Sequence, residues 1–187
     1  MDYIYLYIVH KPVQKELKTL LSDVHNGAKI RSKGSDLLIV EAPIDPIEPL
    51  DYHMLYTLIQ TDFECHLTML VLLPQTVATF DETILMESLH KVSSGYYEIE
   101  DFLLTLIKRQ AKVIPALQSQ LAHALGPELV ETALALADAN MNASIAAKQH
   151  YMHRNTMLYR IDRIHEKTGI NIKNFTGLSI FTQLYRY

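Results

Sequence analysis

The spacing of the apolar residues changes character once, near Ser93-Ser94-Gly95, and that change constrains the fold more than any single motif. Before it, short β-branched and aromatic runs alternate with segments whose apolar residues recur every three or four positions. Tyr3–Val9, "YIYLYIV", reads as a strand ending at His10-Lys11-Pro12. Leu17, Leu20, Leu21 and Val24 share a helical face, and "AKIRS" and "DLLIVEA" flank Lys33-Gly34-Ser35 as a hairpin. "DYHMLYTLIQTDF" predicts a helix and "HLTMLVLL" a buried strand stopped by Pro74. "DETILMESLHKV" predicts a helix capped by Asp81, with Ile84, Leu85, Leu89 and Val92 inward. After Gly95 every segment carries helical periodicity, and Gly126-Pro127 reads as a helix stop followed by a first-turn proline.

The expected class is therefore α+β. The order β-α-β-β-α-β followed by a helix is the split βαβ pattern of ferredoxin-like folds, with an antiparallel-containing sheet and helices on one face. A mixed domain over 1–94 and an all-helical domain over 95–187 follow, with Ser93–Gly95 as linker. No apolar run approaches the roughly 18 residues needed to span a bilayer. The opening "MDYIYLYIVHKP" lacks the basic start and small-residue cleavage site of a signal peptide. Cys65 stands alone, so no internal disulfide can form, and a cytoplasmic location without a membrane partner is expected.

A net charge of −4 hides an asymmetry. From Asn140 to Tyr187 there are seven basic and two acidic residues, a net of +5, which leaves −9 for Met1–Ala139. A basic end on an acidic body points to a polyanion partner. The charge gathers on "HRNTMLYRIDRIHEKTG", His153–Gly169. On a helical wheel Met157, Ile161, Ile164 and Thr168 form one seam, while Thr156, Tyr159, Arg160, Arg163 and Lys167 lie on the outer arc. Arg154 sits in the first turn, where its side chain can reach past the helix end. The preceding "NASIAAKQHYM" has Asn142 as an N-cap and the small pair Ala146-Ala147 for close packing. Two short helices joined by a tight turn make a helix-turn-helix, whose second helix enters the major groove of double-stranded DNA.

These residues resemble the C-terminal helix-turn-helix of the PucR/CdaR type of regulators of purine catabolism and sugar-diacid use. The family stretch reads approximately "TAxxLxVHRNTLxYRLxRIxExTGxDLxD". It is matched by Ala147, Met152, His153-Arg154-Asn155-Thr156, Tyr159-Arg160, Arg163-Ile164, Glu166 and Thr168-Gly169. Leu129, Thr132 and Asn140 are similar to the helix before it, and the likeness runs from about Tyr96 to Asn174. Two positions depart. His150 replaces a leucine that would pack the two helices together, and Met141 replaces a glycine. The first half resembles, more weakly, the family's middle domain, a degenerate relative of diguanylate cyclases. "RSKGSDL" keeps Arg31, Gly34 and Asp36 of the "RxGGDEF" hairpin, but Ser35 replaces the key acid and "YIYLYIV" offers no carboxylate for magnesium. The resemblance implies a bacterial transcription factor with a degenerate GGDEF-like α/β sandwich that does not catalyse. Because the chain opens at about this strand, the family's N-terminal sensory region is not expected.

The remaining chemistry is bland. Nine histidines are scattered, and Cys65-His66 and His150/His153 lack the three or four convergent ligands of a zinc site. "SKGSD" lacks the glycines and following lysine of a phosphate loop. Tyr3, Tyr5 and Tyr7 share a strand face and read as core or dimer contact. No cofactor is implied, and no small-molecule effector is identifiable. The residues expected to carry DNA contact are His153, Arg154, Asn155, Thr156, Tyr159, Arg160 and Arg163, with Lys148 and Gln149 reaching phosphates. Arg154 is the expected base-reading side chain, toward guanine O6 and N7. Arg160 and Arg163 are expected to hold the helix against phosphate. One motif reads one half-site, so a two-fold homodimer is expected.

Overall fold

The computed structural model describes residues 2–9, 14–34, 36–43 and 50–186, with the side chains of 2–9 and 14 excluded. The expectations for His10-Lys11-Pro12, for Ser35 and for the tyrosine face of the first strand lie outside the described residues. Two units are present: Met1–Pro74 with Met86–Glu98, and Gln75–Leu85 with Ile99–Tyr187.

The first unit is built on a five-stranded sheet of order β2-β3-β1-β4-β5. β1 (Asp2–Val9) lies between β3 (Leu37–Ala42) and β4 (His66–Leu72), antiparallel to both, and β2 (Lys29–Lys33) forms an antiparallel hairpin with β3. Both faces of β3 and β4 are buried, which is why "LLIV" and "LTML" are continuous apolar runs rather than alternating ones. On one face, α1 (Gln14–Val24) supplies Leu17 and Leu21 and α2 (Tyr52–Phe63) supplies Leu55 and Ile59 to a core with Leu38, Val40, Leu67 and Met69. Val24, expected on the inner face of α1, is exposed. α2 begins where the Asp51 carboxylate accepts from the Met54 N–H at 2.9 Å.

Two short elements differ from expectation. Pro74 ends the strand but also opens a helix, α3 (Pro74–Thr79), as first-turn prolines do. The expected linker at Ser93–Gly95 instead leads into β5 (Gly95–Tyr97), which pairs parallel to β4. Three residues are too few to show a period of two. Between them, α4 (Glu82–Leu89) is capped as expected, with Asp81 accepting from the Thr83 and Ile84 N–H groups.

The second unit is helical: α5 (Ile99–Lys108), α6 (Ile114–Leu125), α7 (Pro127–Asp138), α8 (Ala143–Gln149), α9 (Arg154–Thr168) and α10 (Phe175–Arg186). Chain order places the boundary at 94/95. By packing, Gln75–Leu85 goes with the helices and Gly95–Glu98 with the sheet. Gly126, at φ 73, ends α6 and admits Pro127 as the first residue of α7. Leu117, Leu121, Leu129, Ala133, Leu136, Ile164 and Phe181 are buried in this unit.

Candidate nucleic-acid interface

α9 is seated by its apolar seam. Met157, Ile161, Ile164 and Thr168 are all buried, as the wheel predicts, and α9 packs on α6, α7 and α8. α8 starts at Asn142, whose side chain accepts from the Ser144 and Ile145 N–H groups at 3.0 and 3.1 Å. Ala146 and Ala147 of α8 are both buried, and α8 packs against α9. The turn between the helices, His150–His153, passes through Tyr151 in the left-handed region at φ 52 and closes with the Met152 N–H on the Ala147 carbonyl at 2.9 Å.

His150 corrects the sequence expectation. A place between the helices is expected for it, but it is exposed. α8 ends at Gln149, so His150 lies past the last turn as the C-cap. It lines an open cleft of about 360 Å³ with Glu131, Thr132, Tyr151, Met152 and Arg160.

The expected contact residues divide into two groups. Lys148, Gln149, His153, Arg154, Asn155, Thr156 and Tyr159 are exposed around the turn and the first half of α9. His153 also serves the fold, because its Nδ1 accepts from the Asn155 N–H at 3.2 Å and caps α9. Arg154 Nε donates to the Ser144 hydroxyl at 3.0 Å. Arg160 and Arg163 differ. The Arg160 guanidinium is paired with Glu128 at the start of α7 and is half-buried. Arg163 pairs with Glu166 at 2.8 Å, and that hydrogen bond holds its pKa above the ordinary arginine value. The distal half of the outer arc also carries Asp162, which pairs with Lys173 at 2.6 Å. Arg154, at the N-terminal end of α9, is bonded to a hydroxyl, whereas Arg160 and Arg163 further along are bonded to carboxylates.

The other end of α9 is fixed by residues that sequence reading missed. Thr76 donates its hydroxyl to the Thr168 carbonyl at 2.9 Å, and Thr79 donates to the Lys167 carbonyl at 2.7 Å. These satisfy carbonyls that a helix end leaves without intrahelical partners. Lys167, placed on the outer arc by its wheel angle, turns its ammonium to the Ala124 carbonyl at 2.8 Å. Gly169 follows at φ 77, and its N–H returns to the His165 carbonyl at 2.8 Å. A Cβ at Gly169 would overlap the Thr76 hydroxyl. The two threonine bonds of this clamp join residues 92 and 88 positions apart, and two threonines in a short polar helix give no local signal. Tyr151, 99% exposed at the tip of the turn, is a further surface residue that sequence reading missed. Its place between a helix end and a cap was the available signal.

Among the described residues no group of three or more His, Cys, Asp or Glu side chains converges as a metal site would require, and no helix is long and apolar enough to cross a membrane.

A seven-residue helix, a four-residue turn and a fifteen-residue helix seated on α7 define a helix-turn-helix domain. Residues 129–182, from α7 into α10, match the PucR C-terminal helix-turn-helix domain. A Bacillus subtilis (strain 168) protein, "Uncharacterized protein YxkF", is 32% identical over 75 residues, which cover 40% of this chain and 25% of that one. The match thus spans about a quarter of that relative's length. A crystal structure of a regulator of polyketide synthase expression from Bifidobacterium adolescentis aligns over 100% of this chain and 80% of its own, at 13% identity and a TM-score of 0.45.

Proposed function

We propose that the chain is a sequence-specific DNA-binding transcriptional regulator whose α9 enters the major groove, N-terminal end first. The observation that carries this is the first turn of α9. It is exposed, capped by His153, rich in amide and guanidinium donors, and offered by a PucR-type helix-turn-helix domain. In this reading Arg154 reads a base edge, Asn155, Thr156 and Tyr159 contact the groove, and Lys148, Gln149 and His153 meet the backbone. Arg160 and Arg163 reach phosphate only by exchanging Glu128 and Glu166 for it. The protein acts in the cytoplasm as a two-fold dimer on paired half-sites, a single motif being short for specificity. The sheet unit is regulatory or dimerising rather than enzymatic. The strand order β2-β3-β1-β4 supports a ferredoxin-like, cyclase-related ancestry for it, with β5 as an addition.

Titration of duplex DNA at several salt concentrations tests the reading. Binding that weakens as salt rises, with a slope reflecting several phosphate contacts, is expected. The carboxylates on Arg160 and Arg163 favour a second reading, a dimerising protein that has lost DNA binding. Absence of duplex binding at low salt, with a dimer in sedimentation, would select it.

A further inference from the structure

We propose that Ser144 is a positioning residue that aims Arg154, fixing which edge of its guanidinium meets the base pair. The proposal rests on the reading of α9 as a recognition helix. A guanidinium has two bidentate edges, one formed by Nε with one Nη and the other by the two Nη groups. Arg154 springs from the first residue of α9, and its Nε donates to the Ser144 Oγ at 3.0 Å. The side-on edge is thereby occupied. The end-on edge, Nη1 with Nη2, remains to pair with two acceptors on one base, as guanine O6 and N7 present them.

The anchor is itself fixed. Ser144 is the second residue of α8, and its N–H is bonded to the Asn142 cap at 3.0 Å, so its backbone is held with the start of α8 and its hydroxyl has only the χ1 rotation left. The two helices that must keep a set angle for groove binding are thus joined at the reading side chain. An arginine in an exposed first turn without such a tether can swing to either flanking phosphate, which carries no sequence information. Ser144 therefore acts on discrimination more than on total affinity.

The test uses the full chain and duplexes enriched by it from a pool with a randomised central tract. The wild type is expected to enrich a motif containing a G·C pair whose preference Arg154→Ala abolishes. Ser144→Ala should lower the preference at that pair about 2- to 10-fold, the effect of one lost hydrogen bond. Binding to random duplex and the thermal midpoint should stay unchanged. Ser144→Thr, which keeps the hydroxyl, should restore the preference. In the Arg154→Ala background, Ser144→Ala should have no further effect. The proposal is overturned if Ser144→Ala leaves the preference intact, lowers specific binding further in the Arg154→Ala background, or lowers the preference only with the thermal midpoint. It is also overturned if threonine fails to restore it. A wild type that enriches no motif sinks the recognition-helix reading, and this proposal with it. A motif indifferent to Arg154→Ala removes the base-reading role of Arg154 and overturns this proposal, while the recognition-helix reading stands.

Discussion

The two ends of α9 are built to opposite specifications. At the C-terminal end, the buried Thr76 hydroxyl and the half-buried Thr79 hydroxyl bind the last carbonyls, Lys167 reaches the end of α6, and Gly169 turns the chain against Thr76. At the N-terminal end, Arg154, Asn155 and Thr156 face solvent, and apart from the Arg154 Nε on Ser144 their side-chain donors are open to water. Buried polar bonds are costly to break because the partners have no water to turn to, whereas exposed ones exchange cheaply. One end holds the helix in place while the other can trade water for a partner.

The sharpest way to break this contrast is at Gly169. Alanine there must adopt the left-handed conformation, which costs about 1–2 kcal/mol, and its Cβ meets a hydroxyl pinned to Thr168. With the added overpacking, Gly169→Ala should destabilise by about 2–4 kcal/mol. Thermal unfolding measures it, and a midpoint near that of the wild type would mean that the clamp does not constrain α9.

Arg154→Ala probes the opposite end and should have the opposite signature. Specific-site affinity should fall by about 1–3 kcal/mol, random duplex should be less affected, and stability should not change. Equal losses on both duplexes would reassign Arg154 to phosphate. Thr76→Val returns to the clamp with a gentler change. It keeps the shape but strands the Thr168 carbonyl, for a loss of about 1–2 kcal/mol in stability. The ratio of specific to random binding in the folded protein should be untouched. A shifted ratio would show that the two ends communicate.

How much of this is legible in the sequence follows from the range of the interactions. The seam Met157-Ile161-Ile164-Thr168 is readable because a 3.6-residue period repeats along one helix. The Asn142 cap and the Gly126-Pro127 break are readable because each is a local backbone rule. β5 and α3 are not, being three and six residues long. The partners of Arg160, Arg163 and Lys167 differ in kind from the phosphate or solvent that the wheel suggests. A wheel gives the direction of a side chain but not the carboxylate or carbonyl waiting there, and Glu128 and Ala124 lie on other helices.

His150 is the smallest test and bears on the turn that joins the two ends. A leucine buried between α8 and α9 would contribute roughly 1.5–3 kcal/mol, so a histidine in that place would leave the pair soft. The structure leaves His150 exposed at a cleft that Arg160 also lines, and the buried residues of α8 are Ala146 and Ala147. A side chain that faces solvent has little apolar burial to gain. His150→Leu should therefore change stability by no more than about 0.5 kcal/mol, and DNA discrimination should not move. A clear rise in the thermal midpoint would show that α8 runs one residue longer than Gln149 and brings position 150 under the helix pair. Ser144 and Arg154 would then shift with α8, and the contrast between a held end and an open end would have to be redrawn from that register.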